Sequence, residues 1–168
     1  MWLGIGIAAA AIAVGTVIGL IMAKKNRALF ENGTANRKRQ RDFYLQAHTF
    51  KTVVPDLNTL LTALDLNVFR GQGIEISKDA DSSRLVFRNA AGTMAASVST
   101  LGDNSDGIYR YTFKMNTWKE HNGVMANSAW MDSNIILTAL EKAFLTLDFN
   151  AVVERVYLTD WKTKASFI

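Results

Sequence analysis

The chain has 168 residues, no cysteine, one proline and a formal net charge of +4. That length leaves room for one domain of ordinary size besides a short appendage, and the absence of thiols excludes a disulfide framework, a thiolate metal site and a cysteine nucleophile. The basic excess is local: residues 24–41 hold seven basic side chains against one acidic, whereas residues 42–168 carry 12 basic and 14 acidic, so the bulk of the chain has no field to draw nucleic acid.

From Trp2 to Ala23 there is no charged side chain. As a helix rising about 1.5 Å per residue, this run covers the roughly 30 Å hydrocarbon layer of a bilayer. It is longer than the apolar part of a cleaved signal peptide and lacks the positive leader. The expectation is a single transmembrane anchor over residues 1–23. Every basic residue near it lies on its C-terminal flank, which places the rest of the chain on the cytoplasmic side, or on the matrix or stromal side of an organelle membrane. Ala11, Gly15 and Gly19 recur at every fourth position, a small-residue face that allows close packing of a second helix.

Residues 24–41 mix charge with Asn32-Gly33 and show no apolar period, the pattern of a basic juxtamembrane linker. Arg37, Lys38, Arg39 and Arg41 suit anionic lipid headgroups, at about 1 kcal/mol per basic residue near the surface. Asn32-Gly33-Thr34 matches a glycosylation acceptor, but on the inner side of a membrane it goes unused.

Residues 42–168 read as one soluble α+β domain. Residues 42–54 fit a strand or a helix, since Phe43, Ala47, Phe50 and Val54 share a helical face. A helix is expected from Asp56 to Leu66, with Asp56 as its cap and Leu57, Leu60, Leu61 and Leu64 on one side. Alternation then predicts strands around Ile74–Ile76, Leu85–Phe87, Met94–Val98 and Tyr109–Met115. A second helix is expected from Ser133 to Phe149, capped by Asp132, and the C-terminus alternates again at Val156–Leu158 and Trp161–Phe167. One-sided strands of this kind form an antiparallel sheet with one face covered, here by the two helices.

The segment DLNTLLTAL at 56–64 echoes DSNIILTAL at 132–140, and a Thr-Phe-Lys precedes each, at 49–51 and 112–114. The echo favours a strand within 42–54 and a duplicated β-α-β-β unit with approximate two-fold symmetry. In outline that arrangement resembles TATA-binding-protein-like and ferredoxin-like sandwiches, a likeness of architecture that implies no activity.

Chemistry is sparse. His48 and His121 are too few for a metal site without carboxylates at matching spacing. Asp79-Ala-Asp81 opens like a calcium loop but has Arg84 where glycine is required. Gly71-Gln-Gly73 precedes a strand rather than a helix, the wrong order for cradling phosphate. No cofactor and no catalytic residue is assigned, and an enzyme is the less favoured class. Residues 115–131 separate strand from helix in the second half where four residues do so in the first. This segment is rich in Trp and Met and reads as a hairpin extension around Asn122-Gly123, with Trp118, His121, Met125 and Trp130 as a partner surface. The expected function is a membrane-anchored, non-enzymatic interaction or accessory subunit of a membrane protein complex. Its partners are membrane lipid and either another protein or a second copy through the anchor. The alternative is a membrane-tethered module for a small ligand.

Overall fold

The computed structural model describes residues 2–80, 83–102 and 106–167, with side chains from residue 14 onward and to residue 166. The chain divides into two compact units, residues 1–37 and 38–168.

The first unit is a 30-residue helix, α1 (Trp2–Glu31). It runs eight residues past the expected anchor and takes up much of the expected linker. It stops at Gly33, whose φ of 71° is open to glycine at no steric cost. Among the described residues no helix is long and apolar enough to cross a membrane. The side chains of residues 2–13, including Ala11 of the expected packing face, lie outside the described residues.

The second unit is α+β. After a 3-10 turn at Phe43–Leu45 come β1 (Gln46–Thr52), α2 (Leu57–Ala63), α3 (Leu66–Gln72), β2 (Ile74–Lys78), β3 (Arg84–Asn89), β4 (Met94–Thr100), β5 (Tyr109–His121), β6 (Val124–Met125), α4 (Asn127–Leu147), β7 (Val152–Tyr157) and β8 (Ala165–Phe167). Six strands lie in the order β2-β3-β4-β5-β1-β7, all antiparallel; β6 extends β5 as a hairpin and β8 joins β5 in parallel. The ambiguous segment 42–54 is therefore mostly strand. Asn122 (φ 53°) and Gly123 (φ 73°) make the β5–β6 turn, the two left-handed residues that a tight hairpin of matching twist demands.

Alternation sends Phe50, Phe87, Val98, Tyr111, Phe113 and Met115 to one face, where all are fully buried. Phe144 of α4 stacks on Phe50 with ring centroids 4.4 Å apart. The Tyr111 hydroxyl donates to the Val54 carbonyl at 2.8 Å, and burial pushes its pKa up to about 12. The opposite face carries Thr49, Lys51, Thr112 and Lys114, none of them buried, as expected for an antiparallel sheet covered on one side.

Four expectations need correction. First, Asp132 is no cap. The helix begins at Asn127, because Ala129, Trp130 and Met131 are themselves core residues of it, and the Asp132 carboxylate instead accepts from Asn89 Nδ2 at 2.8 Å. Second, the helix expected from Asp56 is two: Asp65 caps α3 through the Asn67 amide, and Gly73 (φ 66°) ends it. Third, residues 161–163 form a 3-10 turn rather than the start of a strand. Fourth, the duplicated unit fails at the level of topology. Strand β7 follows its helix and lies directly beside β1, whereas β2 follows its helix to the far edge, with β3 and β4 between it and β5.

Candidate interaction site

Strand β7 is one edge of the sheet, and its sequence Val-Val-Glu-Arg-Val-Tyr has the β-branched and aromatic content of a strand interior. It is fastened along its length. At its start, Asp148 at the end of α4 accepts from the Val53 amide and the Thr52 hydroxyl, both at 2.9 Å, and from the Asn150 amide at 3.0 Å. These bonds, the Val53 amide first, hold its carboxyl below the usual carboxylate range. In the middle, Glu154 pairs with Lys51 at 2.6 Å. At the far end the Tyr157 hydroxyl donates to Asp42 at 2.7 Å, and the Leu158 amide donates to the Leu45 carbonyl at 2.7 Å.

The last of these bonds sets the polarity of the edge. Leu158 and Leu45 lie in the same register as the β1–β7 pair. Backbone groups alternate sides along a strand, so Val152, Glu154 and Val156 bond inward to β1, while Val153, Arg155 and Tyr157 turn their amides and carbonyls to the open side. The side chains are equally accessible: Val152 is 55% exposed, Val156 67% and Tyr157 60%, and just upstream Phe149 is 83% exposed. Natural sheets blunt such edges with lysine, proline, bulges or covering elements. The other edge, β2, has α3 packed near it. β7 has neither lysine nor proline.

The expected partner surface lies elsewhere and is mostly not a surface. Trp118, Met125 and Trp130 are buried and only His121 is exposed. Strand β8 runs beside Trp118, pairing with it at Ala165, and the Tyr44 ring meets its indole edge-on at 5.4 Å; its Nε1 donates to Glu120 at 2.9 Å. Trp130 donates from Nε1 to the Arg41 carbonyl at 3.2 Å and lies 4.8 Å beneath the Arg41 guanidinium. The hairpin around Asn122-Gly123 exists, but its large apolar residues complete the core.

The expected headgroup cluster is split. The Arg39 side chain is 4% exposed and is spent inside the domain: it forks onto Glu141 at 2.6 and 3.1 Å and donates to Asn134 at 2.9 Å and Thr138 at 3.1 Å. Arg39 is thus a clasp between residues 38–45 and α4, while Arg37, Lys38 and Arg41 stay exposed. Near the clasp, His48 is buried. Its Nε2 donates to the Phe43 carbonyl at 3.2 Å and its Nδ1 has no hydrogen-bond partner. Burial, with the nearby Arg39 and Arg155 charges, lowers its pKa to about 4, so the ring is neutral at neutral pH. Gly15 and Gly19 of the packing face have open space where a side chain would stand. Among the described residues no group of three His, Asp or Glu side chains is placed to hold a metal ion.

No family model, no curated protein and no solved structure matches the chain.

Proposed function

We propose that the chain is a membrane-anchored, non-enzymatic interaction or accessory subunit of a membrane protein complex. Residues 2–23 form the anchor, and domain 42–168 lies on the cytoplasmic, matrix or stromal side. The observation that carries this reading is where the exposed large apolar side chains gather. Val14, Val17, Ile18, Leu20, Ile21 and Met22 are each more than half exposed. At the helical period they occupy one broad side of α1, opposite Gly15, Thr16 and Gly19. An apolar side of this breadth is at home in lipid, and a small-residue side suits a neighbouring helix. Four of the domain's exposed large apolar side chains, Phe149, Val152, Val156 and Tyr157, lie along β7 and its entry, a second contact surface. Arg37, Lys38 and Arg41 meet anionic headgroups.

Purification of the full chain from native membrane in mild detergent, with mass determination of what accompanies it, tests the reading. A stoichiometric protein companion is expected; recovery of the chain alone would overturn it. Sidedness is tested with Thr146→Cys, an exposed position on α4 in a chain without other thiols. In intact cells it should resist a membrane-impermeant thiol reagent, and ready labelling before lysis would overturn the placement. A tethered small-ligand module is the second reading. It is favoured by a groove of about 410 Å³ between α3 and β2, lined by Leu66, Phe69, Arg70, Ile74, Glu75 and Ile76, and a bound small molecule in the same mass measurement would select it.

A further inference from the structure

The open edge of β7 has chemistry that narrows what it pairs with. Directly opposed residues of an antiparallel pair lie on the same face of the sheet. When a strand pairs with its own copy across a two-fold axis, that axis must therefore pass midway between one residue and the same residue of the copy. Two registers use most of the strand. One opposes Glu154 to Glu154 of a second copy, and the other opposes Arg155 to Arg155 of a second copy. Like charges directly opposed destabilise a pair, so the edge discriminates against itself. The two charges also differ in what they still need. Glu154 is already paired with Lys51, whereas no carboxylate among the described residues pairs with Arg155, which is exposed opposite buried His48.

We propose that the β7 edge accepts an added antiparallel strand from a different protein, an extended segment that sets an acidic side chain opposite Arg155 and apolar side chains opposite Val153 and Tyr157. The inference rests on the interaction-subunit reading and gives it a site. Main-chain bonds to Val153, Arg155 and Tyr157 supply affinity, and the alternating side chains supply selectivity. Because Asp148, Lys51, Asp42 and Leu45 already hold the strand in place, little ordering cost remains on binding. Phe149 stands exposed at the entry to the strand and extends the apolar contact.

The test uses the full chain in detergent and labelled, end-capped peptides of roughly ten residues, about the upper length of a common strand. One peptide alternates valine and threonine around a central glutamate, and its twin carries lysine instead. Fluorescence anisotropy should show the glutamate peptide binding more tightly than the lysine twin, by roughly fivefold for a reversed cross-strand charge. Arg155→Glu should invert that order, with its thermal melt unchanged because the side chain is exposed. Arg155→Pro removes an outward amide and leaves the ladder to β1 intact, so it should weaken both peptides. Absence of binding to the unaltered chain, or an unchanged order in Arg155→Glu, would overturn the proposal. A dimer of the full chain that separates in Arg155→Pro would assign the edge to a second copy and overturn it as well. A companion from native membrane retained equally by Arg155→Glu would refute the edge while leaving the interaction reading intact; no companion with either chain would refute the reading itself.

Discussion

Asp148 accepts the Val53 amide at 2.9 Å and so ties the end of α4 to the end of β1, 95 residues away in sequence. That bond decides where β7 starts. Asp148→Ala should lower the melting temperature and speed amide exchange at Val152, Glu154 and Val156, whose amides bond to β1, while Asp148→Asn, which keeps one acceptor oxygen, should recover part of the loss. The carboxyl is held below its usual pKa, so its contribution is full above the ordinary carboxylate range and fades as pH falls through the folded value. Melting curves of Asp148→Asn should be flatter than wild type in that acidic window.

Trp118 is 1% exposed, with β8 paired beside it and the Tyr44 ring against its indole. Truncation to Ala is expected to cost about 3 to 5 kcal/mol, a large share of a typical domain stability of about 5 to 15 kcal/mol, and to lower the melting temperature by about 10 °C or more. Trp118→Phe keeps most of the packing but strands Glu120 without its indole donor, and should fall between the two. A melt of Trp118→Ala within a degree or two of wild type would return this residue to a surface role.

Arg39 and Glu141 form a fork at 4% and 20% side-chain exposure. Removing one partner of a buried pair leaves the other uncompensated, typically at about 3 to 5 kcal/mol. Arg39→Ala should approach the lower figure because Glu141 keeps some access to water. Arg39→Lys should not restore it, since an ammonium cannot reach two oxygens, Asn134 and Thr138 together. Denaturant melts of Arg39→Ala, Glu141→Gln and the double variant measure the coupling.

His48 gives a second acid sensitivity. Its folded pKa of about 4 lies below the ordinary 6.5, so the unfolded chain takes up the proton first. Stability is full above pH 6.5 and is lost as pH falls toward 4, up to about 3 kcal/mol. His48→Phe should remove the pH dependence between those values, as read from urea midpoints at several pH values.

Gly15 and Gly19 meet no atom where a side chain would stand, so leucine there is sterically free within one chain. Gly15→Leu and Gly19→Leu should weaken association of the anchor in detergent or lipid, and Val17→Leu, on the broad apolar side, should not. Cross-linking yields equal in all three would leave the small-residue spacing without a role.

Local chemistry was legible wherever one residue type dictates one backbone state. Asp56 caps α2 through the Asn58 and Thr59 amides, Asn122-Gly123 turns a hairpin, and period-two alternation marks the covered face of the strands, because those features depend on neighbours a few positions away. The short α3 had its signals too, Asp65 before it and Gly73 after it, hidden inside a longer leucine pattern. The echo of Thr-Phe-Lys is a subtler case. Thr49 and Thr112 do oppose each other across β1 and β5, hydroxyls 3.1 Å apart, yet the strands that follow go to different places, since pairing partners are chosen by distant surfaces and not by the repeat itself. The same physics separates Trp118 from Val156. By composition the tryptophan suits a partner surface and the valine a core. Only the pairing of β8 beside the first, with the Tyr44 ring against its indole, and the lack among the described residues of any strand on the outer side of β7, decided that the tryptophan is buried and the valine stands at an open edge.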